Sequence, residues 1–424
     1  MPKGRCASQD GQSQGLRLAH GLAIWREARI REVTTALTSK NAETGRPAEN
    51  HRLHLSQLIQ RRFRGPKVGE TVNIAAIAAQ VADELFGRFL WKKQGPCDLS
   101  WPCEEPESHA KKRKSNKVLA VAQEAEVPSE LVHQSEADNK VPVVTHPTDV
   151  VFYYDEPYSN HRTYVNCDLK SYAAKTIQKS EVRNAVLSLA RALTCLEKSE
   201  TWRKRYVADD KTALYAGMLF VYNHDGDYNH QFDELLADLN LSNLEIPRNS
   251  KIIVLGPRDI SWLDNVSDQI ARMRGDGLIG TTEETRFFYP PLVLAKNVQP
   301  SARAATIEML TGPWIILKHR LKDAVKESVL VFYRGKGQLL EEFSLLIDYL
   351  MFHGLVDDGV DILVCALMPD TEARALFAKA IDDYILRFDG GKEIAATLQA
   401  IRYQSMTQVR RAFSTTEIGM NRGR

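Results

Sequence analysis

No run of apolar residues in this chain approaches the roughly 20 needed to cross a bilayer. The stretch from Leu16 to Trp25 is too short and too interrupted to serve as a signal peptide, so no membrane association is expected. Cysteine is sparse: Cys6, Cys97, Cys103, Cys167, Cys195 and Cys365 are scattered along the chain. Cys97 and Cys103 stand too far apart for the usual zinc knuckle, and no histidine pair completes a site in the sequence. The expectation is a reduced, intracellular, cytoplasmic protein without structural zinc. Three catalytic signatures are missing as well: Gly-x-x-x-x-Gly-Lys-Ser/Thr, Gly-x-Ser-x-Gly and His-Glu-x-x-His. Tyr333-Arg334-Gly335-Lys336-Gly337 therefore reads as a tight strand-to-helix turn, not a phosphate loop.

Net charge is also small, +2 over 424 residues, but it hides an asymmetry. Residues 1–67 hold thirteen Lys or Arg against five acids, a local charge of about +8. Leu16 to Leu37 has a helical pattern with arginines along one side, and Arg61, Arg62 and Arg64 precede a Gly-Pro break. Such an arm suits a nucleic-acid backbone, and it equally suits a solvated leader. A second basic run, Lys111-Lys112-Arg113-Lys114, lies in a Pro-, Glu-, Ser- and Lys-rich stretch at about 95–141. That stretch reads as a mobile insertion, and its charge again suits phosphate or simply water.

The residues that carry chemistry begin at Pro147-Thr148-Asp149. Val150 to Tyr154 is a β-branched and aromatic run, followed by the turn formers Asp155 to Asn160 and a second extended run to Cys167. With Tyr154 opposite His161, Asp149 falls opposite Asn166 to Asp168, depending on the register. Asp168 and Lys170 are two apart and so share a strand face. Two carboxylates and a lysine thus converge through local structure alone. Paired carboxylates suit a hard divalent cation with oxygen ligands, and a neighbouring lysine suits a developing phosphate charge or a positioned water. A structural hairpin with a solvated Asp-x-Lys edge is the plain alternative.

These residues resemble the PD-(D/E)XK nuclease superfamily, with one extra residue between Pro147 and Asp149. The resemblance implies an α/β restriction-endonuclease-like core of order αβββαβ. It further implies that Asp149 and Asp168 hold Mg²⁺ (Mn²⁺ substituting), helped by the Leu169 carbonyl and by a glutamate from the preceding helix, for which Glu84 is the candidate. Lys170 takes the catalytic lysine position. The flanks fit this order. Apolar residues spaced three and four apart predict a helix from Asn73 to Lys93, stopped at Gly95-Pro96. Ser180 is placed to cap a helix through Leu193, with Arg183 and Asn184 in its first turn facing a phosphate. Leu214 to Tyr222 and Lys251 to Leu255 read as strands, and about 261–273 as a helix.

Residues 285–424 read as strands at Trp314–Leu317, Ser328–Tyr333 and Val360–Leu367, with helices at Leu339–Phe352 and Thr371–Arg387, a pattern favouring a parallel α/β layer. The expected organisation is a basic arm at 1–69, a nuclease domain at 70–280 and an accessory or partner-binding α/β domain at 281–424. By resemblance the chain is a Mg²⁺-dependent endonuclease acting on DNA more readily than RNA, in bacterial antiviral defence or restriction. A regulatory protein partner or an oligomer is expected. An RNase, including one that cuts transfer RNA, and a non-catalytic nucleic-acid-binding subunit remain as alternatives, since nothing in the residues reads the sugar.

Overall fold

The computed structural model describes residues 82–109, 144–208, 211–242, 244–291, 298–322, 324–388 and 391–409. By its internal contacts the chain divides into Met1–Lys67 and Val68–Arg424, and every described residue belongs to the second unit. The expected basic arm and the run Lys111 to Lys114 lie outside the described residues.

Two five-stranded sheets organise the described part. The first is built from β1 (Lys92–Lys93), β4 (Val150–Asp155), β5 (His161–Tyr172), β6 (Thr212–Asn223) and β7 (Lys251–Leu255), side by side in that order. β1 and β5 flank β4 antiparallel, whereas β5, β6 and β7 run parallel. A separate two-stranded ladder joins β2 (Leu99–Pro102) to β3 (Thr145–Thr148), and a short helix α1 (Pro106–His109) follows β2.

Alternation along the strands sorts side chains to two covered faces. Val150, Phe152, Tyr154, Val165, Cys167, Met218 and Phe220 enter one core with Phe86 and Phe89. Val151, Tyr164 and Tyr215 pack the other way, against Leu193 and Leu196 of α2 (Lys179–Leu196) and against Trp202 of α3 (Glu200–Tyr206). Leu219 and Val221 meet Val182, Val186 and Leu189 of the same helix α2, and Phe232 of α4 (Phe232–Ala237). Gly217 is where α2 comes nearest: a Cβ there would lie 2.9 Å from the Leu189 side chain, so only glycine allows this approach.

The first core does not stop at the first sheet. It continues through Ile260, Leu263, Val266 and Ile270 of α5 (Pro257–Gly275) to Leu317, Leu330, Phe332 and Cys365 of the second sheet. That sheet has β8 (Thr285–Phe287), β9 (Trp314–His319), β10 (Ser328–Tyr333), β11 (Ile362–Leu367) and β12 (Arg402–Met406); the short helix α6 (Ile307–Thr311) precedes β9. Its far face packs Val329, Val331 and Val364 on Phe343, Leu346 and Leu350 of α7 (Leu340–Phe352) and Phe377 of α8 (Ala373–Phe388). A last helix, α9 (Gly391–Gln399), leads into β12. Each large apolar side chain buried in these cores contributes about 1.5–3 kcal/mol.

Several expectations need correcting. The helix expected to reach Lys93 is helical at 82–88 and ends there; Leu90 takes φ 65°, and Lys92–Lys93 turn into β1 against Tyr153 and Phe152. Burial of Trp91, whose Nε1 donates to the Ala305 carbonyl at 2.5 Å, explains the early stop. The helix expected from Ser180 is capped by extended Gln178, leaving Ser180 inside its first turn. The second sheet is mixed: β10, β11 and β12 are parallel, but β8, β9 and β10 are antiparallel. Within the stretch expected to be an insertion, β2 and α1 are regular structure. The turn after Tyr333 is as expected, with Gly337 at φ 70° and packed against Phe343.

Candidate active site

Asp149 sits where the chain leaves the β2–β3 ladder and joins the first sheet as β4. The register pairs Val150 with Cys167 and Tyr154 with Thr163, two residues beyond His161. The Glu156 N–H donates to the His161 carbonyl at 3.0 Å and closes the loop there. The ladder ends at Val150–Cys167, and the Asp149 N–H bonds the Cys167 carbonyl, so Asp149 lies against the Cys167–Asp168 step. On its other side Leu99 pairs with Thr148, which sets Asp98 opposite Asp149. Three acids, Asp98, Asp149 and Asp168, therefore gather in a row where β2, β4 and β5 meet, near enough that the charges of Asp168 and Asp98 act on Asp149.

The backbone fixes this row tightly. Asp149 donates its N–H to the Cys167 carbonyl (3.3 Å) and accepts the Asp98 N–H on its own carbonyl (2.9 Å). Its carboxylate accepts the Leu169 N–H at 2.6 Å. Lys170, two residues beyond Asp168, donates its ammonium to the Asp168 carboxylate. Burial, together with the charges of Asp168 and Asp98, pushes the Asp149 carboxyl up to about 6, against the pull of the Leu169 N–H and Lys170. Burial opposes the Lys170 charge, yet Asp168 and then Asp149 outweigh it and hold the ammonium above its ordinary range.

Residues 68–259 match the family model described as the GAPS4 protein PD-(D/E)XK nuclease domain. Over these residues the chain is similar to a PD-(D/E)XK nuclease domain. No curated protein matches the chain.

Beneath these acids lies a buried polar network. Thr148, the extra residue between Pro147 and Asp149, donates to Asn166 Oδ1 at 2.8 Å. The same hydroxyl accepts Trp101 Nε1 at 3.0 Å and Trp202 Nε1 at 3.4 Å. Thr148 and Asn166 are each 1% exposed, so these bonds replace water and lock β2, β3, β5 and α3 together. At the carboxyl ends of β5 and β6, Asn223 donates to the Tyr172 carbonyl and to Asp225, and Asp225 accepts the Ala174 N–H at 3.0 Å.

The other sequence candidates that the structure describes lie apart from the acids. Glu84 is exposed on the helical segment 82–88, while Leu85 and Phe86 beside it are buried. Leu169 lies in β5 with its N–H committed to Asp149. Arg183 lies in the first turns of α2 and donates its Nε to the Asn240 carbonyl at 2.8 Å. Arg61, Arg62, Arg64, Lys111, Lys112, Arg113 and Lys114 lie outside the described residues. Sequence reasoning missed Asp98, whose only local signal is its place just after the Gly95-Pro96 break, and where φ is 53°.

The matched region also corrects the reading of its cysteines. Cys103, His109, His146 and Cys195 come together with one ligand atom each, all within 4.8 Å of one another. A histidine pair does accompany two of the cysteines. It was hidden because Cys195 and His146 are distant in sequence from Cys103.

Proposed function

We propose that this chain is a divalent-metal-dependent endonuclease that hydrolyses phosphodiester bonds, with DNA the favoured substrate. The observation that carries this reading is Asp149 held between Asp98 and Asp168, with Lys170 on Asp168. Three hard oxygen donors in one row, one of them buried, suit Mg²⁺, with Mn²⁺ a substitute. Asp149 and Asp168 would hold the ion, with the Leu169 carbonyl completing the set from the protein. For the third acid, Asp98 is better placed than Glu84, because its charge reaches Asp149. When bound, the ion supplies an acidified water and neutralises charge on the phosphate.

This chain's own groups do the rest. The Leu169 N–H fixes one Asp149 oxygen, which leaves the second free to point across the row. Lys170, kept protonated by its acid neighbours, offers a fixed positive charge where the phosphorane would develop. The ladder Cys167–Asp149–Asp98 prevents the acids from turning away to relieve their repulsion. Basic residues of the two sequence runs, Arg61, Arg62, Arg64 and Lys111 to Lys114, would contact the phosphate backbone. The matched family is associated with antiviral defence, which supports a cytoplasmic effector of a bacterial defence or restriction system, controlled by a protein partner or by self-association. Among the described residues no helix is long and apolar enough to cross a membrane.

The test is cleavage of duplex DNA, single-stranded DNA and total RNA by the purified chain, with Mg²⁺, Mn²⁺ or EDTA. Metal-dependent cutting of DNA that is lost in Asp168→Ala supports the reading. Cutting of RNA alone replaces the substrate, and unchanged cutting by Asp168→Ala refutes the site.

A further inference from the structure

We propose that Cys103, His109, His146 and Cys195 bind one Zn²⁺ as a closed structural site, distinct from the acid row. The four side chains come from four places: the residue after β2, the end of α1, the middle of β3 and the last turn of α2. Tetrahedral bonds of about 2.3 Å to sulfur and 2.0–2.1 Å to nitrogen put ligand atoms roughly 3.3–3.8 Å apart. Cys103 Sγ lies 3.7 Å from Cys195 Sγ and 3.3 Å from His109 Nδ1, and Cys195 Sγ lies 3.4 Å from the same Nδ1. Both thiols are free, and their separation far exceeds the roughly 2.05 Å of a disulfide.

The histidines point the same way. His146 is 5% exposed, and its Nε2 finds no hydrogen-bond partner among the described residues, a costly state for a buried polar atom unless something else binds it. His109 turns Nδ1 to the sulfurs and Nε2 outward, 3.5 Å from Thr194 Oγ1 and 3.8 Å from the Glu105 carboxylate. Thr194 spends its own proton on the Arg191 carbonyl, so its oxygen is left to accept from His109. A metal-bound imidazole commonly donates its second N–H to such oxygens, which fixes its tautomer. Glu105 is held in turn by Lys198, and its backbone N–H donates to Cys103 Sγ at 3.4 Å, a contact suited to a thiolate. Two sulfurs and two imidazoles select Zn²⁺ over Mg²⁺, and four protein ligands leave no open position for chemistry. Binding releases the two thiol protons.

The consequence is mechanical. His146 packs against Trp101 with the rings tilted, 5.0 Å between centroids, and Trp101 bonds Thr148 beside Asp149. Zinc would thus clamp β2, α1 and β3 to α2 and hold the Asp98–Asp149 ladder in place. It also ties together the two ends of the chain that leaves at His109 and returns before His146, which removes loop-closure entropy from the unfolded state.

The experiment is elemental analysis of the full-length chain, purified without chelator and without a histidine tag. About one zinc per chain is expected, retained in Asp149→Ala/Asp168→Ala and lost from Cys103→Ser/Cys195→Ser and from His146→Ala. Reconstitution with Co²⁺ should give the intense visible bands of a tetrahedral two-thiolate site, a readout that does not need a variant to fold. Glu105→Ala should weaken zinc in chelator competition by about 10–100-fold. Absence of zinc together with absence of a tetrahedral cobalt spectrum would overturn the proposal. So would retention of zinc by Cys103→Ser/Cys195→Ser, or a mapped Cys103–Cys195 disulfide in the freshly isolated chain.

Discussion

His146 and Asp149 lie three residues apart on one stretch of backbone, yet they belong to ligand sets of opposite chemistry. Toward β4 the chain presents carboxylates in a row, hard and mutually repelling, with one at the edge of solvent. Toward β2 it presents sulfur and imidazole, soft and enclosed by α1 and α2. The acids of the row repel one another and are held by backbone bonds, an arrangement suited to an exchangeable ion and a substrate. The Cys–His cluster has all four positions supplied by protein, so an ion there is retained and does no chemistry. One region works by being incomplete, and the other supports it by being complete.

That contrast is broken most severely at the acids. Asp149→Ala or Asp168→Ala should lower cleavage by more than the 10²–10³-fold typical of losing one fixed catalytic donor, with zinc content and fold unchanged. Gel-based turnover beside elemental analysis checks both halves at once. EDTA sharpens the same comparison. Brief chelation should stop cleavage and added Mg²⁺ or Mn²⁺ should restore it, while zinc stays bound throughout. Lys170→Ala should cost about 10²–10³-fold in turnover, since it removes one fixed charge but no metal ligand. A loss of metal affinity in Lys170→Ala, measured calorimetrically, would contradict its assigned role.

The acid row was legible in the sequence for a physical reason: Asp149, Asp168 and Lys170 are joined by one hairpin, so alternation and a turn are enough to bring them together. The strands read at Leu214–Tyr222 and Lys251–Leu255 were legible too, because Tyr215 to Tyr222 is buried on both faces and almost wholly apolar, and Ile252 to Leu255 is an unbroken apolar run. The Cys–His cluster was not, because Cys195 reaches Cys103 across 92 residues and through two elements whose packing no periodicity encodes. Asp98 escaped notice for the same reason, its partner being set by the β2–β3 ladder. The end of the first helix was misplaced because Leu90 adopts a left-handed conformation that its apolar spacing does not announce. Local pattern fixes what a strand or hairpin will do, whereas pairing across distant elements is decided by packing.

Thr148 joins the two regions, and a substitution there should affect both at a smaller scale. Thr148→Val keeps the shape but leaves Trp101 Nε1 and Asn166 Oδ1 without their bond. Burying those groups unpaired should cost about 1–3 kcal/mol in urea unfolding. The acid register should loosen, with cleavage falling modestly and zinc retained. Unchanged stability would mean that water replaces the hydroxyl.

The smallest effect is expected at the opposite end of β4, where Asp155 makes the contrast with Asp149 electrostatic. Burial disfavours the Asp155 charge, but hydrogen bonds from Arg162 and Lys211 outweigh it and hold the carboxyl below its ordinary value of 3.8. Both ion pairs are close, 2.8 Å to Arg162 and 2.9 Å to Lys211. A folded-state pKa below the unfolded one means that the unfolded chain binds the proton first. The stabilisation is therefore complete above the ordinary aspartate range and is lost as pH falls below it, through the lowered folded-state value. Asp155→Asn should lower the melting temperature slightly at neutral pH and leave it nearly unchanged near pH 3. Asp149 is shifted the other way by burial and then by its acid neighbours, so the two ends of one strand should respond to acid with opposite sign. Melting curves of the metal-free chain and Asp155→Asn across pH 3–7 decide it: a difference that grows as pH falls would show that Asp155 is held by something other than its charge.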